Sequence, residues 1–228
     1  MKKLVVLSGA GMSSESGIRT FRDSGGLWEE YEVTEVATYE AWMRNRDLVL
    51  RFYNERRRQL AGCGPNAGHT GLAELENHFD VQIITQNVDD LHERAGSTKI
   101  LHLHGELTKA RSTVDPTLIY DIGYRDINNG DKCSRGSQLR PHIVWFGEEV
   151  PMMDRAVRMA EEADIFVVIG SSLNVYPAAG LINFAPQKAE LWLIDPKDVD
   201  APGYRKVNVI KEKAARGVAI LTERLLNA

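Results

Sequence analysis

An α/β fold, a doubly wound parallel sheet with a small inserted second lobe, is what this sequence predicts on three observations. Short, uniformly apolar runs alternate with segments of helical periodicity, the pattern of a parallel sheet covered on both faces. The first apolar run opens directly into a glycine-rich turn, as at the phosphate-binding corner of such sheets. Two long stretches break the alternation and read as insertions between sheet elements.

Taken in order, Leu4–Ser8 reads as a buried first strand. Lys2 and Lys3 ahead of it hint at a secretory leader, but the run breaks at Ser8-Gly9, short of the about seven apolar residues such a leader needs. Gly9-Ala10-Gly11-Met12-Ser13-Ser14 follows, a variant of G-x-G-x-x-G with serine in the third place and the next glycine at Gly17. A helix start is expected there, with free N–H groups aimed at an anion; an ordinary strand–turn–helix corner fits the same letters. Residues 21–64 form the first insertion, mostly helical, with Leu48, Val49 and Phe52 at helical spacing inside Asp47–Leu60. Helical patterns return at His69–His78, Pro151–Ala163 and Ala214–Leu226, the last with Val218, Leu221 and Leu225 on one face. Val81–Thr85, Ile165–Gly170, Leu191–Ile194 and, more weakly, Val207–Ile210 read as strands. The second insertion, 105–140, is polar, irregular and weakly β.

Composition narrows the function. At 228 residues the chain suits one domain with a small module, and 43% hydrophobic with 26% charged residues is ordinary for a globular protein. A net charge of −4 argues against bulk nucleic-acid binding. No run of about eighteen apolar residues marks a membrane span. Cys63 and Cys133 are the two cysteines, which fits a reducing cytoplasm with ordinary free thiols.

Polar residues cluster where strands end. Gln86-Asn87-Val88-Asp89 follows the strand Val81–Thr85; amide and carboxylate groups there can hold ligand hydroxyls and amides, or simply cap a helix. His102 and His104 alternate on the short strand Ile100–His104 and share a face, which suits a structural pair or half a metal site. Asp195, ahead of Pro196, is either a turn residue or an acceptor for ligand hydroxyls. Tyr53 and Arg56 stand at i, i+3 on one helix face inside the basic run Arg51–Arg58, which reads equally as a solvated face. Arg57 and Arg58 are expected in solvent.

The ordered motifs are more specific than any one of them. Gly17-Ile18-Arg19-Thr20-Phe21-Arg22-Asp23 continues into Gly25-Gly26-Leu27-Trp28. Thr85-Gln86-Asn87-Val88-Asp89, Leu103-His104-Gly105-Glu106, Arg140-Pro141-His142-Ile143-Val144-Trp145-Phe146-Gly147-Glu148 and Gly170-Ser171-Ser172-Leu173-Asn174-Val175-Tyr176-Pro177-Ala178 follow in order. Across essentially its whole length the chain resembles the sirtuin family, NAD-dependent protein lysine deacylases of bacterial type. The resemblance implies a Rossmann-like NAD-binding core at about 1–20, 65–104 and 141–228, with a small lobe from 21–64 and 105–140 and the substrate cleft between them. NAD would lie on Gly9, Ala10, Gly11, Ser13 and Gly17, with Gln86, Asn87, Asp89, Gly170, Ser171, Ser172 and Asp195. Phe21 and Arg22 would close over its nicotinamide end. His104 would be the catalytic base, acting beside Asn87 and Asp89, and histidine suits the task because its pKa lies near operating pH. Phe146, Gly147, Glu148 and Val175 would flank an acylated lysine of a protein or peptide as short strands.

The Tyr53/Arg56 pair resembles the subgroup that removes succinyl, malonyl and glutaryl groups, where a buried acyl carboxylate needs charge-assisted partners. Products would be nicotinamide, O-acyl-ADP-ribose and free lysine, formed in the cytoplasm without nucleic acid or membrane. An NAD hydrolase or ADP-ribosyltransferase breaks the same first bond, and a non-catalytic NAD-binding module would keep the same pocket. One departure stands out. Most members carry two Cys-x-x-Cys pairs after the histidine, whereas this chain has Thr108–Thr113 at the first and Asp131–Gly136 at the second, with Cys133 alone. One cysteine does not make a four-ligand zinc site, so no metal is expected, and Leu118, Ile119, Tyr120, Ile122 and Tyr124 are the candidates to hold that lobe.

Overall fold

The computed structural model describes residues 1–18, 31–199 and 205–227; Phe21 and Arg22 lie outside them. Strands β1 (Lys3–Ser8), β2 (Asp80–Thr85) and β3 (Ile100–His102) precede a second group, β4 (Gly105–Ser112), β5 (Ile119–Asp121) and β6 (Leu139–Ile143), and then come β7 (Ile165–Ile169), β8 (Glu190–Ile194) and β9 (Val207–Ile210). Six of them form a sheet in the order β3-β2-β1-β7-β8-β9, parallel at every pairing. The chain works outward from β1 to β3 and then returns to β7 on the other edge of β1. The carboxyl ends of β1 and β7 therefore flank the point where strand order reverses, where open α/β sheets bind ligands.

Alternation along β1 sorts its side chains onto two faces. Val5 and Leu7 pack with Ala156, Ala160, Leu181 and Ile182 on one side, from the helix Met153–Glu161 and the 3₁₀ segment Ala178–Phe184. Leu4 and Val6 pack with Leu72, Leu75, Val218 and Leu221 on the other, from the helices Ala67–Leu75 and Ala214–Leu226. Both faces of β1 are fully buried, which is why it reads as an unbroken apolar run.

β5, β4 and β6 form a separate three-stranded antiparallel sheet. It packs with the helix Arg46–Gly62 around Trp42, Phe52, Leu60, Leu107, Ile127 and Trp145. The residues expected to hold this lobe are mostly not in that core. Ile119 and Tyr124 are exposed, Leu118 and Tyr120 are half-buried, and Ile122 packs at its margin. β5 is a three-residue edge strand, so its side chains have little to bury against.

The solvated reading of Arg57 is also corrected: it is fully buried. Its Nε donates to the Leu107 carbonyl at 2.6 Å and its Nη1 to Asn54 Oδ1 at 2.7 Å. Asn54 in turn bonds both backbone groups of Ile127. Residues 53, 56, 57 and 60 share the i, i+3, i+4, i+7 face turned to the core, and charge alone had suggested solvent for Arg57. Burial pulls its pKa down to about 10, so the cation survives at neutral pH, with Nε and Nη1 partnered and Nη2 buried without a hydrogen-bond acceptor. Arg58 is exposed, as expected, and pairs with Asp126 at 2.9 Å.

Across the two stretches where the family carries its zinc cysteines, Ser112 Oγ is 2.8 Å from Ser137 Oγ, just past the second stretch, and Cys133 Sγ is 3.0 Å from Ser137 Oγ. Arg135 and Asp115 close the same turn with an ion pair at 2.7 Å. Two hydroxyls and one thiol already bonded to each other do not fit tetrahedral zinc, which takes thiolate, imidazole or carboxylate. Among the described residues no helix is long and apolar enough to cross a membrane.

Candidate active site

The glycine-rich loop leaves β1 as two 3₁₀ turns, Ala10–Met12 and Ser14–Ser16, rather than as the expected α-helix start. Its glycines serve chain-to-chain contact. A Cβ on Gly9 would lie 2.6 Å from the Gly170 carbonyl, and one on Gly11 would lie 2.7 Å from Gly170 Cα. Gly9 N and Gly11 N donate to the carbonyls of Ile169 and Gly170, both at 2.9 Å. Met12 N and Ser13 N donate within the loop itself, so these four donors are engaged in the fold rather than free. Gly17 ends the second turn in the left-handed region at φ 86°.

Behind the loop lies a buried polar cluster. Asn87 donates its amide to Gly9 O at 3.0 Å and to Ser13 Oγ at 3.1 Å, and Ser13 donates to Asp89 Oδ2 at 2.9 Å. Asp89 also accepts from Leu91 N at 3.2 Å, so it ties the first residue of the helix Leu91–Arg94 to the loop. Burial pushes its pKa up, against the Ser13 and Leu91 hydrogen bonds. Ser8 bonds Thr85 at 2.9 Å and His92 Nε2 at 3.0 Å. The rings of His92 and His69 stack edge to face at 4.9 Å. Sequence reasoning named Ser13, Asn87 and Asp89 but missed the supporting layer of Ser8, Thr85, His69 and His92, whose only trace is a serine ending an apolar strand and a histidine opening a helical pattern.

The two histidines after β2 separate. β3 ends at His102, and His104 stands beyond it, before Gly105 at φ 80°. His104 Nδ1 is 3.0 Å from the Gln86 carbonyl. A carbonyl only accepts, so Nδ1 carries the proton and the Nε2 lone pair is left to act as a base. Burial lowers the His104 pKa and the Gln86 bond opposes that shift, which keeps the ring neutral at neutral pH. His102 instead bonds acceptors at both nitrogens, Asn87 O at 3.2 Å and Glu93 Oε1 at 2.7 Å. Burial opposes its protonation, but Glu93 prevails and its pKa is raised, a structural imidazolium. Glu93, His102 and Glu106 bring one ligand atom each within 4.8 Å of one another; Lys109 holds Glu106 at 2.8 Å, so cations of the chain already serve both carboxylates.

A cleft of about 920 Å³ runs along the carboxyl edge of the sheet. It brings together Gly9, Ala10, Gly11, Gln86, Asn87, His104, Gly170, Ser171, Ser172 and Asp195 with Tyr53, Arg56, Phe146, Gly147, Glu148 and Val175. Ser13 and Asp89 line an adjoining chamber of about 20 Å³, shared with Ala10, Arg56 and Asn87. Gly17 lines neither. Beyond Asp195 the cleft continues past Lys197, Asp198 and Lys213, which the sequence reading did not include although the end of β8 pointed there. Asp195 accepts from Lys197 N at 2.9 Å, so the turn role holds alongside its place in the cleft. Gln86 Nε2 donates to Ser171 Oγ at 3.0 Å.

The flanking segments are not strands. Phe146 makes a single bridge to Thr38, Gly147 turns at φ 86°, and Val175 sits in a bend leading into the 3₁₀ segment Ala178–Phe184. Single extended stretches without a neighbour have no ladder to join. Glu148 is committed to the fold: it accepts from Arg140 at 2.7 and 3.0 Å, from Arg111 at 3.2 Å and from Trp145 N at 2.8 Å. Despite burial, these partners hold its carboxyl below the usual range. Tyr53 and Arg56 are both buried and line the cleft. Tyr53 Oη lies 3.0 Å from Trp145 Nε1, and burial raises its pKa to about 12.

Comparison with known proteins agrees with this geometry. The Sir2 family model matches residues 9–177. An NAD-dependent protein deacylase of Bacteroides thetaiotaomicron is 56% identical over 236 aligned residues, covering 100% of both chains. One from Helicobacter pylori is 53% identical over 99% of this chain and 96% of its own. A crystal structure of a Sir2 homologue with NAD superposes with a TM-score of 0.89 at 38% identity, covering 99% of this chain and 90% of that one. A Sir2 protein with a deacetylated peptide and 3′-O-acetyl ADP-ribose gives 0.84 at 28% identity, over 97% and 92%. The chain belongs to the Sir2 family.

Proposed function

We propose that this chain is an NAD-dependent protein lysine deacylase that removes acetyl groups and, through Tyr53 and Arg56, succinyl and malonyl groups. The observation that carries the reading is His104. It is a neutral histidine with Nδ1 held by the Gln86 carbonyl, in one cleft with the glycine loop and with Tyr53 and Arg56. NAD supplies a ribose carbon that loses nicotinamide and a sugar that accepts the acyl group. Gly9, Ala10, Gly11, Ser13, Gly170, Ser171 and Ser172 would hold its phosphates and inner ribose. Asp195 would meet the outer ribose. Gln86, Asn87 and Asp89 would hold the nicotinamide end. His104 Nε2 would take the proton from the ribose hydroxyl that attacks the acyl carbon.

The lysine stem would pass between Phe146-Gly147 and Val175, pairing through backbone groups, so affinity makes little demand on peptide sequence. Glu148 supports that segment through Arg140 and Arg111. The working division into a core of 1–20, 65–104 and 141–228 and a small lobe of 21–64 and 105–140 fits the two sheets, with β6 straddling the last boundary. A cytoplasmic enzyme acting on acylated protein or peptide lysines fits the cysteine usage and net charge.

Nicotinamide release tests the activity. Release that requires an acyl-lysine peptide supports the deacylase. Release with NAD alone would mean a hydrolase, and NAD binding with no release would mean a silent module. Acyl preference is tested with Arg56→Met. The ratio of kcat/KM for succinyl- over acetyl-peptide should fall at least tenfold, mostly through KM, because a charge-assisted pair left half made costs roughly 2–5 kcal/mol. Equal losses on both substrates would assign Arg56 to the fold.

A further inference from the structure

Tyr53 lines the cleft, and its hydroxyl can donate one hydrogen bond while it accepts others. What it offers a substrate depends on what its neighbours take. The neighbour here is Trp145. The indole Nε1 has a hydrogen and no available lone pair, so it only donates. At 3.0 Å from Tyr53 Oη it must be giving its proton to the phenol oxygen. The phenol hydrogen is thereby kept away from Trp145 and has to find an acceptor elsewhere. With Arg56 beside it in the cleft, this part of the pocket carries a second donor and a positive charge.

Trp145 is itself fixed from several sides. The Arg140 guanidinium lies 3.4 Å over its ring, and Trp42 packs at 5.7 Å between centroids. Its backbone N–H donates to Glu148, which Arg140 and Arg111 clamp. The Tyr53 ring is tilted 38° to it at 6.4 Å and meets Phe52 edge to face at 5.0 Å. An indole with so little freedom imposes a direction on the bond it makes.

We propose that Trp145 is a positioning residue for acyl specificity: its indole N–H occupies the acceptor side of the Tyr53 hydroxyl and presents that hydroxyl as a donor to an acyl chain ending in a carboxylate. The inference rests on the acid-chain reading of Tyr53 and Arg56. It adds that the pocket discriminates by hydrogen-bond polarity as well as by charge, favouring acyl ends that only accept over acyl ends that must donate.

The test is a double-mutant cycle on the ratio of kcat/KM for succinyl- over acetyl-peptide. Tyr53→Phe removes the hydroxyl, Trp145→Phe removes the N–H while keeping a ring, and the double variant removes both. Each single change should lower the ratio roughly tenfold, mainly through KM for the succinyl-peptide, as expected for one hydrogen bond to a charged group. The double variant should fall no further than Tyr53→Phe alone, because Trp145 acts through Tyr53. Additive losses, an unchanged ratio in Trp145→Phe, or equal losses on both substrates would overturn the inference and leave the acid-chain reading standing. A wild-type enzyme that does not process succinyl-lysine would overturn that reading and this inference with it. If Trp145→Phe does not fold, benzothienyl-alanine at 145 replaces only the N–H by sulfur, and the same ratio decides.

Discussion

His104 shows how much one backbone carbonyl can decide. Gln86 O accepts the hydrogen bond from Nδ1–H, burial keeps the ring neutral, and the Nε2 lone pair of this cleft-lining residue is left as the base. Replacing His104 by alanine should therefore lower deacylation at least ~10²-fold and leave NAD affinity within a few-fold, read by calorimetry. Near wild-type turnover would remove His104 from the chemistry. Because its pKa is lowered, the acid limb of kcat/KM should fall below pH 6.5 and move upward when the local burial is relieved. Residues such as His104, Asn87 and Asp89 were legible because their chemistry is scarce and they follow strand ends. Arg57 was misread for the converse reason: a guanidinium usually means solvent, and the sequence carries no mark that Leu107 O and Asn54 would receive it. Trp145 was legible only as part of a motif, since its N–H acquires meaning from a tyrosine 92 positions away.

At the level of elements, strands were easier to read than turns. β1, β7 and β8 are buried on both faces and announce themselves as apolar runs. The loop after β1 was expected to start a helix and forms two 3₁₀ turns, because close contact of Gly9 and Gly11 with Gly170 sets its path. The small lobe is the opposite case. Its core comes from residues far apart in sequence, Trp42, Leu60, Leu107, Ile127 and Trp145, so no local pattern exposes it. Ser112, Cys133 and Ser137 tie its turns together by hydrogen bonds. The lobe should accordingly keep its fold without metal. Chelator treatment should leave the thermal unfolding midpoint unchanged, and Cys133→Ser should shift it by no more than a few degrees. Unfolding on metal removal, with zinc found at one per chain, would contradict this.

For the whole molecule, the buried histidines set an acid limit. His69 is fully buried and its pKa is lowered to about 4, chiefly by burial; burial also pushes His92 well below its ordinary value. Between pH 4 and 6.5 the unfolded chain binds protons that the folded chain refuses, so stability rises with pH over that range and is lost as pH falls through it. His69 alone would contribute up to about 3 kcal/mol. Chemical denaturation across pH 4–7 should show this slope, reduced in His69→Gln; a flat profile would contradict it. The order of strands around β1 was not written in any single segment, yet the alternation of strand and helix predicted the sheet class and placed a cleft at its carboxyl edge. The reaction proposed for this cleft moves an acyl group from lysine to ADP-ribose. Mass spectrometry of a reaction with NAD and succinyl-lysine peptide decides it. Free-lysine peptide, nicotinamide and O-succinyl-ADP-ribose should appear in equal amounts. Nicotinamide and plain ADP-ribose beside an intact succinyl-peptide would contradict it.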